Sequence, residues 1–368
     1  MKLFDDIERT FLGPSSNNET PYNYYNRSAR KDVETIRETL ENWFLKIPEK
    51  DKKEMKASFK KSFDDTFYEL FLFSLFDALG FKIEIHPAVP NSTKKPDFLI
   101  VKDNLEIYVE AKIAKDKTTQ EEAFEKMRNT FYDTINKTKA SRFALAIEEL
   151  SFLSGKQPKA KRIVTFLEDT LSKLNPDSIE ELIKTNRLNL PQITYSDEDV
   201  YVIFNPIPLS PEAEFDEDKR AIGMFPMETF WGGGEEIIRE SFSLKAKRYG
   251  ELDKPFLICI NALSKRTRLR MDVDSAILGS EILPLKSGVF ADENGPKRKN
   301  VSATMVNQLY LHAIPNSQYL LYENPYAEFP IDFDKLGLQH NYIKENSIIK
   351  SEGNDLDKIL KIEKSWLS

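Results

Sequence analysis

Apolar positions along this chain change period several times, and each change marks an element. From Val33, the residues Val33, Ile36, Leu40, Trp43 and Phe44 recur at helical spacing until Pro48 stops them. The charged stretch KIPEKDKKEMK (46–56) reads as a linker or a frayed helix. FDDTFYELFLFSLFDAL (63–79) is a strongly apolar helix, closed by Gly80 where a left-handed C-cap is favoured. The period then drops to two. FKIEI (81–85) and LEIYVEA (105–111) alternate, whereas DFLIV (97–101) is apolar throughout, as in a strand covered on both faces. Asp103-Asn104 supplies the turn between the last two. Helical spacing returns in TTQEEAFEKMRNTFYDTIN (118–136), with Thr118 or Thr119 as N-cap, and RFALAI (142–147) is a further strand.

Beyond residue 150 the pattern predicts helices at 160–173 and 178–185, the strand DVYVIFNPIPL (199–209) and a polar loop at 213–221. The helix EEIIRESFSLKAKRYG (235–250) and the strand PFLICIN (255–261) follow. This pair loosely echoes EEAFEK…FALAIEEL earlier, too briefly to count as a repeat. PYNYYNRS (21–28) shows no clear period, and 340–358 reads as a mobile connection to a short last helix. Helix, three strands, helix, strand is the order of an α/β layer around one sheet. The expected divisions are an N-terminal helical segment (1–60), a core (61–150), an accessory α/β region (151–345) and a tail (346–368).

Composition narrows the class. The chain has 368 residues, 40% of them hydrophobic and 31% charged, enough for a sizeable core. No run approaches the length needed to span a bilayer, and the N-terminus lacks the apolar run of a signal peptide. One cysteine, Cys259 inside FLICI, excludes an intrachain disulfide and reads as a buried structural thiol. The expected setting is a reducing cytoplasm with no membrane partner. A net charge of −7 excludes a wholly basic nucleic-acid coat but leaves room for local basic surfaces. Four clusters could supply one: Lys156–Arg162, Lys245–Arg248, Lys265–Arg270 and Lys297–Lys299.

The candidate chemistry lies in KKPDFLIVKDNLEIYVEAK (94–112). Strand alternation puts Glu106, Tyr108, Glu110 and Lys112 on one face, with Glu110 and Lys112 about 6.5–7 Å apart. Asp97 opens the neighbouring strand, and antiparallel pairing brings it near Glu110. Two converging carboxylates repel unless a cation lies between them, and Mg²⁺ takes such hard oxygen ligands. A bound Mg²⁺ polarises a phosphoryl oxygen, and a lysine beside it can orient or deprotonate the attacking water.

Pro96-Asp97 followed by Glu110-Ala111-Lys112 resembles the PD-(D/E)xK motif of the restriction-endonuclease-like nuclease superfamily. The element order of residues 63–147 is similar to that superfamily's core. The resemblance implies an αβββαβ core, with a mixed central sheet flanked by helices, an N-terminal helical segment and a large C-terminal α/β extension. It implies a Mg²⁺-dependent DNA endonuclease, Mn²⁺ substituting, with Asp97 and Glu110 as metal ligands and Lys112 supporting the nucleophile. Many members carry a further acid on the helix before the first strand. Glu69 is the candidate, with Asp65 as fallback. RNA is the other substrate class, a homodimer or a defence-complex partner is expected, and restriction or phage defence is the implied setting. The rival reading is a nuclease-derived module that binds DNA or a partner protein without cutting.

Gln120 matches a glutamine that some relatives carry on the next helix, but Phe124 stands where the recombination-nuclease branch has a tyrosine. Lys94, Lys95 and Lys115 flank the motif as phosphate contacts or plain surface lysines. His86, His312 and His340 are too dispersed for a zinc site, and His86 reads as structural. Trp231-Gly-Gly-Gly234 lacks the lysine of a phosphate loop.

Overall fold

The computed structural model describes residues 1–368 except 91, 116–118, 141, 186–190, 211–219, 228–231, 280–286, 346 and 368. The side chains of Thr119 and Gln120 also lie outside the described residues, and with them the expectation for Gln120. The chain forms two compact units. Unit 1 is Met1–Glu8, Lys31–Asp116 and Phe230–Ser368, and unit 2 is Arg9–Arg30 with Lys117–Thr229.

In chain order, α1 (Pro21–Arg27) belongs to unit 2, and α2 (Lys31–Leu45), α3 (Glu49–Lys61) and α4 (Phe63–Ala78) to unit 1. The strands β1 (Lys82–Ile85), β2 (Phe98–Lys102) and β3 (Leu105–Ala114) follow. Unit 2 then contributes α5 (Thr119–Ile135), β4 (Phe143–Phe152), α6 (Ala160–Ser172), α7 (Pro176–Thr185), β5 (Ile193–Ser196), β6 (Val200–Pro208) and β7 (Ile222–Met224). Unit 1 resumes with α8 (Gly234–Ala246), β8 (Phe256–Ala262) and α9 (Leu269–Leu278). After a two-residue hairpin, β9 (Ala291–Asp292) and β10 (Gly295–Pro296), come β11 (Ala303–Asn307) and β12 (Tyr319–Glu323). The chain closes with α10 (Phe333–Leu336), β13 (Asn341–Lys344), β14 (Ser347–Lys350) and α11 (Leu356–Leu360).

The unit 1 sheet has the order β1-β2-β3-β8-β11-β12-β13-β14. The first three strands form an antiparallel meander, with Phe98 opposite Val109. Asp103 and Asn104, at φ 47° and 64°, make the tight turn expected of a two-residue hairpin loop. β8 lies parallel to both β3 and β11, with Glu110 opposite Ile258. Cross-strand partners share a face, and Phe98 meets Phe73 of α4 edge-on at 6.3 Å. α4 therefore covers the Val109 face. Ile258 and Ile260 pack with Ile238 and Phe242 of α8 on the opposite face.

α4 ends as its sequence predicts. Gly80 is left-handed at φ +84°, and the Phe81 N–H reaches back to the Phe76 carbonyl at 3.0 Å. The charged stretch before it is ordered as α3, not a linker, because Met55 and Phe59 are buried. PYNYYNR is a helix with Thr20 as its side-chain cap, and residues 341–350 form a hairpin where a mobile connection was expected.

The sheet corrects the expected core at its second half. The helix at 118–136 and the strand at 142–147 lie in unit 2, in a separate sheet of order β5-β6-β4-β7. The later helix–strand pair, α8 and β8, stands beside β3 instead. Burial gives the reason. All seven residues of β8 are buried, as a central strand covered on both faces requires. The first half of β4 alternates between buried and half-buried, which suits a sheet packed on one face. The expected division at residue 150 therefore falls inside unit 2, and the segment from 230 onward completes the first sheet.

Candidate active site

Sheet geometry divides the four expected residues between two faces. Glu69 projects from α4, while strand alternation puts Glu110 and Lys112 on the α8 face with Tyr108. Asp97 stands at the rim, just before β2, where its Oδ2 accepts the Ala111 N–H at 2.6 Å. Its own carbonyl accepts the His86 N–H at 3.0 Å, which ties the rim to the end of β1.

Glu69 and Asp97 line one cavity of about 400 Å³. Asp65, one turn before Glu69, also lines it, as do Asp51, Glu54 and Lys61 of α3 and His86 beyond β1. The wall is acidic. Among the described residues the Glu69 carboxylate has no hydrogen-bond or ion-pair partner. Asp51 Oδ2 is buried without one.

The electrostatics follow from this crowding. Burial, then the charges of Asp97 and Asp65, push the Glu69 carboxyl up to about 8. Burial, then the charge of Glu110, raises Asp97 to about 7, against the pull of Lys245 and the Ala111 N–H. Buried like charges disfavour ionisation unless a cation joins them. These acids lack one inside the cavity, apart from Lys61 at its wall.

Glu110 is only 1% exposed, and α8 holds it. Lys245 Nζ forms a close ion pair with Oε1, and the Tyr249 hydroxyl donates to Oε2. Arg248 Nε stands 3.8 Å from Oε1. The Tyr249 hydroxyl also lies 3.0 Å from the Lys95 carbonyl. Burial and the Glu110 charge push the Tyr249 phenol far above its ordinary value, so it is a hydrogen-bond donor here. Lys112 is half-buried, does not line the cavity, and has no partner among the described residues.

The structure thus brings Glu69 and Asp97 into one cavity and sets Glu110 near enough for its charge to act on both. It does not bring Lys112 to them. Among the described residues no group of three or more His, Cys, Asp or Glu is arranged to hold a metal ion. Two carboxylates remain a fitting donor set for Mg²⁺, which keeps several waters and commonly takes one or two carboxylates. The orphan oxygen of Asp51 and the partnerless Glu69 are the features a cation would satisfy.

The flanking residues sort themselves plainly. Lys115 is held by Asp64 at 2.6 Å, Lys94 and Lys95 are exposed, and Cys259 is a fully buried thiol raised by burial. Of the basic clusters, Lys245–Arg248 reaches the site. Sequence reasoning offered it only as one of four local basic surfaces.

No family model matches this chain, and neither a curated protein nor a solved structure does.

Proposed function

We propose that the chain is a metal-dependent nuclease, similar to the PD-(D/E)xK enzymes, that hydrolyses phosphodiester bonds in DNA. One observation carries this reading. Glu69 and Asp97, far apart in sequence, share one acidic cavity in which burial and neighbouring carboxylate charges hold both carboxyls well above their ordinary range. Such a pair costs folding energy and serves a site better than a scaffold. Mg²⁺ held by these two carboxylates would supply charge for a phosphoryl oxygen and a more acidic water. The chain's own groups do the rest. Asp97 is fixed by the Ala111 N–H, so its free oxygen faces the cavity in a set direction. Glu110 adds negative charge beside Asp97 and is held in place by Lys245 and Tyr249. Lys112, the lysine of the motif, stands outside the cavity that these acids line.

The test is cleavage of plasmid, linear DNA and RNA with Mg²⁺, Mn²⁺ or EDTA. Asp97→Asn and Glu69→Gln should each lower the rate by about 100-fold or more, with cleavage absent in EDTA. Variants that cut like the parent would overturn the assignment.

A second reading has its own support. Both oxygens of Glu110 are taken by Lys245 and Tyr249, and Lys112 touches none of the acids. That arrangement also suits a silent nuclease-like module that binds DNA or a protein partner. DNA binding without cutting under every metal condition would favour it.

A further inference from the structure

Glu110 of β3, Asp97 at the start of β2 and Glu69 of α4 are near enough for their charges to interact, and one ammonium acts on all three. Lys245 Nζ ion-pairs with Glu110, with 14% of the lysine side chain exposed against 1% of the glutamate. The same charge acts on Asp97 and on Glu69. Arg248, by contrast, is 43% exposed at 3.8 Å, where water screens it. Lys112, the lysine the motif points to, has no partner among the described residues.

We infer that Lys245 is the resident counter-ion of this acidic group. Together with Tyr249 it positions Glu110, and it sets how tightly the group accepts a divalent cation. This rests on the reading of Glu69 and Asp97 as a cation site. An ammonium held in the field of three carboxylates offsets about one of their charges. A divalent ion entering the cavity feels three attractions and one repulsion from the same neighbourhood. α8 is therefore a tuning element as well as a cover. A structural lysine would contribute only to stability. A counter-ion contributes to stability and opposes metal binding.

The test separates these. Mn²⁺ and Mg²⁺ affinities are measured by calorimetry on the full chain, with melting temperatures recorded alongside. Lys245→Met alone leaves buried Glu110 without its cation and could unfold the protein. The informative comparison is therefore Glu110→Gln against Glu110→Gln/Lys245→Met, in which no buried charge is stranded. The double variant should bind Mn²⁺ roughly tenfold tighter than the single variant, by the loss of one nearby positive charge. Lys245→Arg should bind within about twofold of the parent, since it keeps the charge. Equal affinity in the single and double variants would overturn the counter-ion role and leave the cation site standing. If neither the parent nor any variant binds Mn²⁺, the cation-site reading falls and takes this inference with it.

Discussion

Glu69 is the residue at which sequence and environment conflict most. A carboxylate within FYELFLF is costly to bury, and no hydrogen bond or ion pair among the described residues offsets it. Its folded proton affinity lies above that of an unfolded glutamate, so the folded form holds the proton more tightly. That contribution to stability is whole below the ordinary carboxyl range and is lost as pH rises toward about 8. Metal-free protein should therefore weaken from pH 5 to pH 8. Glu69→Gln should match the parent at pH 5 and melt a few degrees higher at pH 8, on the order of 2 kcal/mol in favour of the variant. A melting temperature in EDTA that falls in the variant at pH 8 would make Glu69 a structural residue. The sequence made this position visible because one charge interrupts an apolar run. It hid Lys245, Arg248 and Tyr249, because a contact across well over a hundred residues leaves no local pattern.

Elements built from local contacts were legible. The β2–β3 hairpin follows from Asp103-Asn104 and the alternation of LEIYVEA, and its register is as the turn dictates. α4 follows from its apolar run and Gly80. α3 was not, because only Met55, Ala57, Ser58 and Phe59 interrupt its charges. Its lysines and glutamates are nonetheless good helix formers. Phe59 is fully buried, against Phe63 at 4.6 Å and Phe4 at 6.0 Å. Phe59→Ala should cost about 3–4 kcal/mol and, by loosening α3, weaken any ligand bound in the cavity that Asp51 and Glu54 help to wall. Denaturant unfolding measures the first, and titration of Mn²⁺ the second. A loss below about 1 kcal/mol would mean that α3 packs only marginally.

For the molecule as a whole, the second half of the unit 1 sheet was illegible because unit 2 interrupts it. Two helix–strand pairs competed for the place beside β3, and only burial on both faces picks β8. Each unit has its own core: Ile258, Ile260 and Phe242 in one, Leu145, Ile163 and Phe204 in the other. All three tryptophans, Trp43, Trp231 and Trp366, fall within the unit 1 segments. Tryptophan fluorescence should therefore report unit 1 alone, and far-ultraviolet circular dichroism both units. The two urea transitions should differ in midpoint. Coincident curves would show that the units unfold as one.

The order of strands also bears on synthesis. As the nascent chain leaves the ribosome, β3 emerges long before the β8 segment that will hydrogen-bond to its open edge. At ordinary translation speeds this edge waits on the order of ten seconds, while unit 2 is made. During that interval IYVEAKIA is an exposed, β-prone ribbon, and its one acid and one lysine discourage premature pairing with other chains. Charges that end buried or half-buried in the finished protein thus first serve as guards against aggregation.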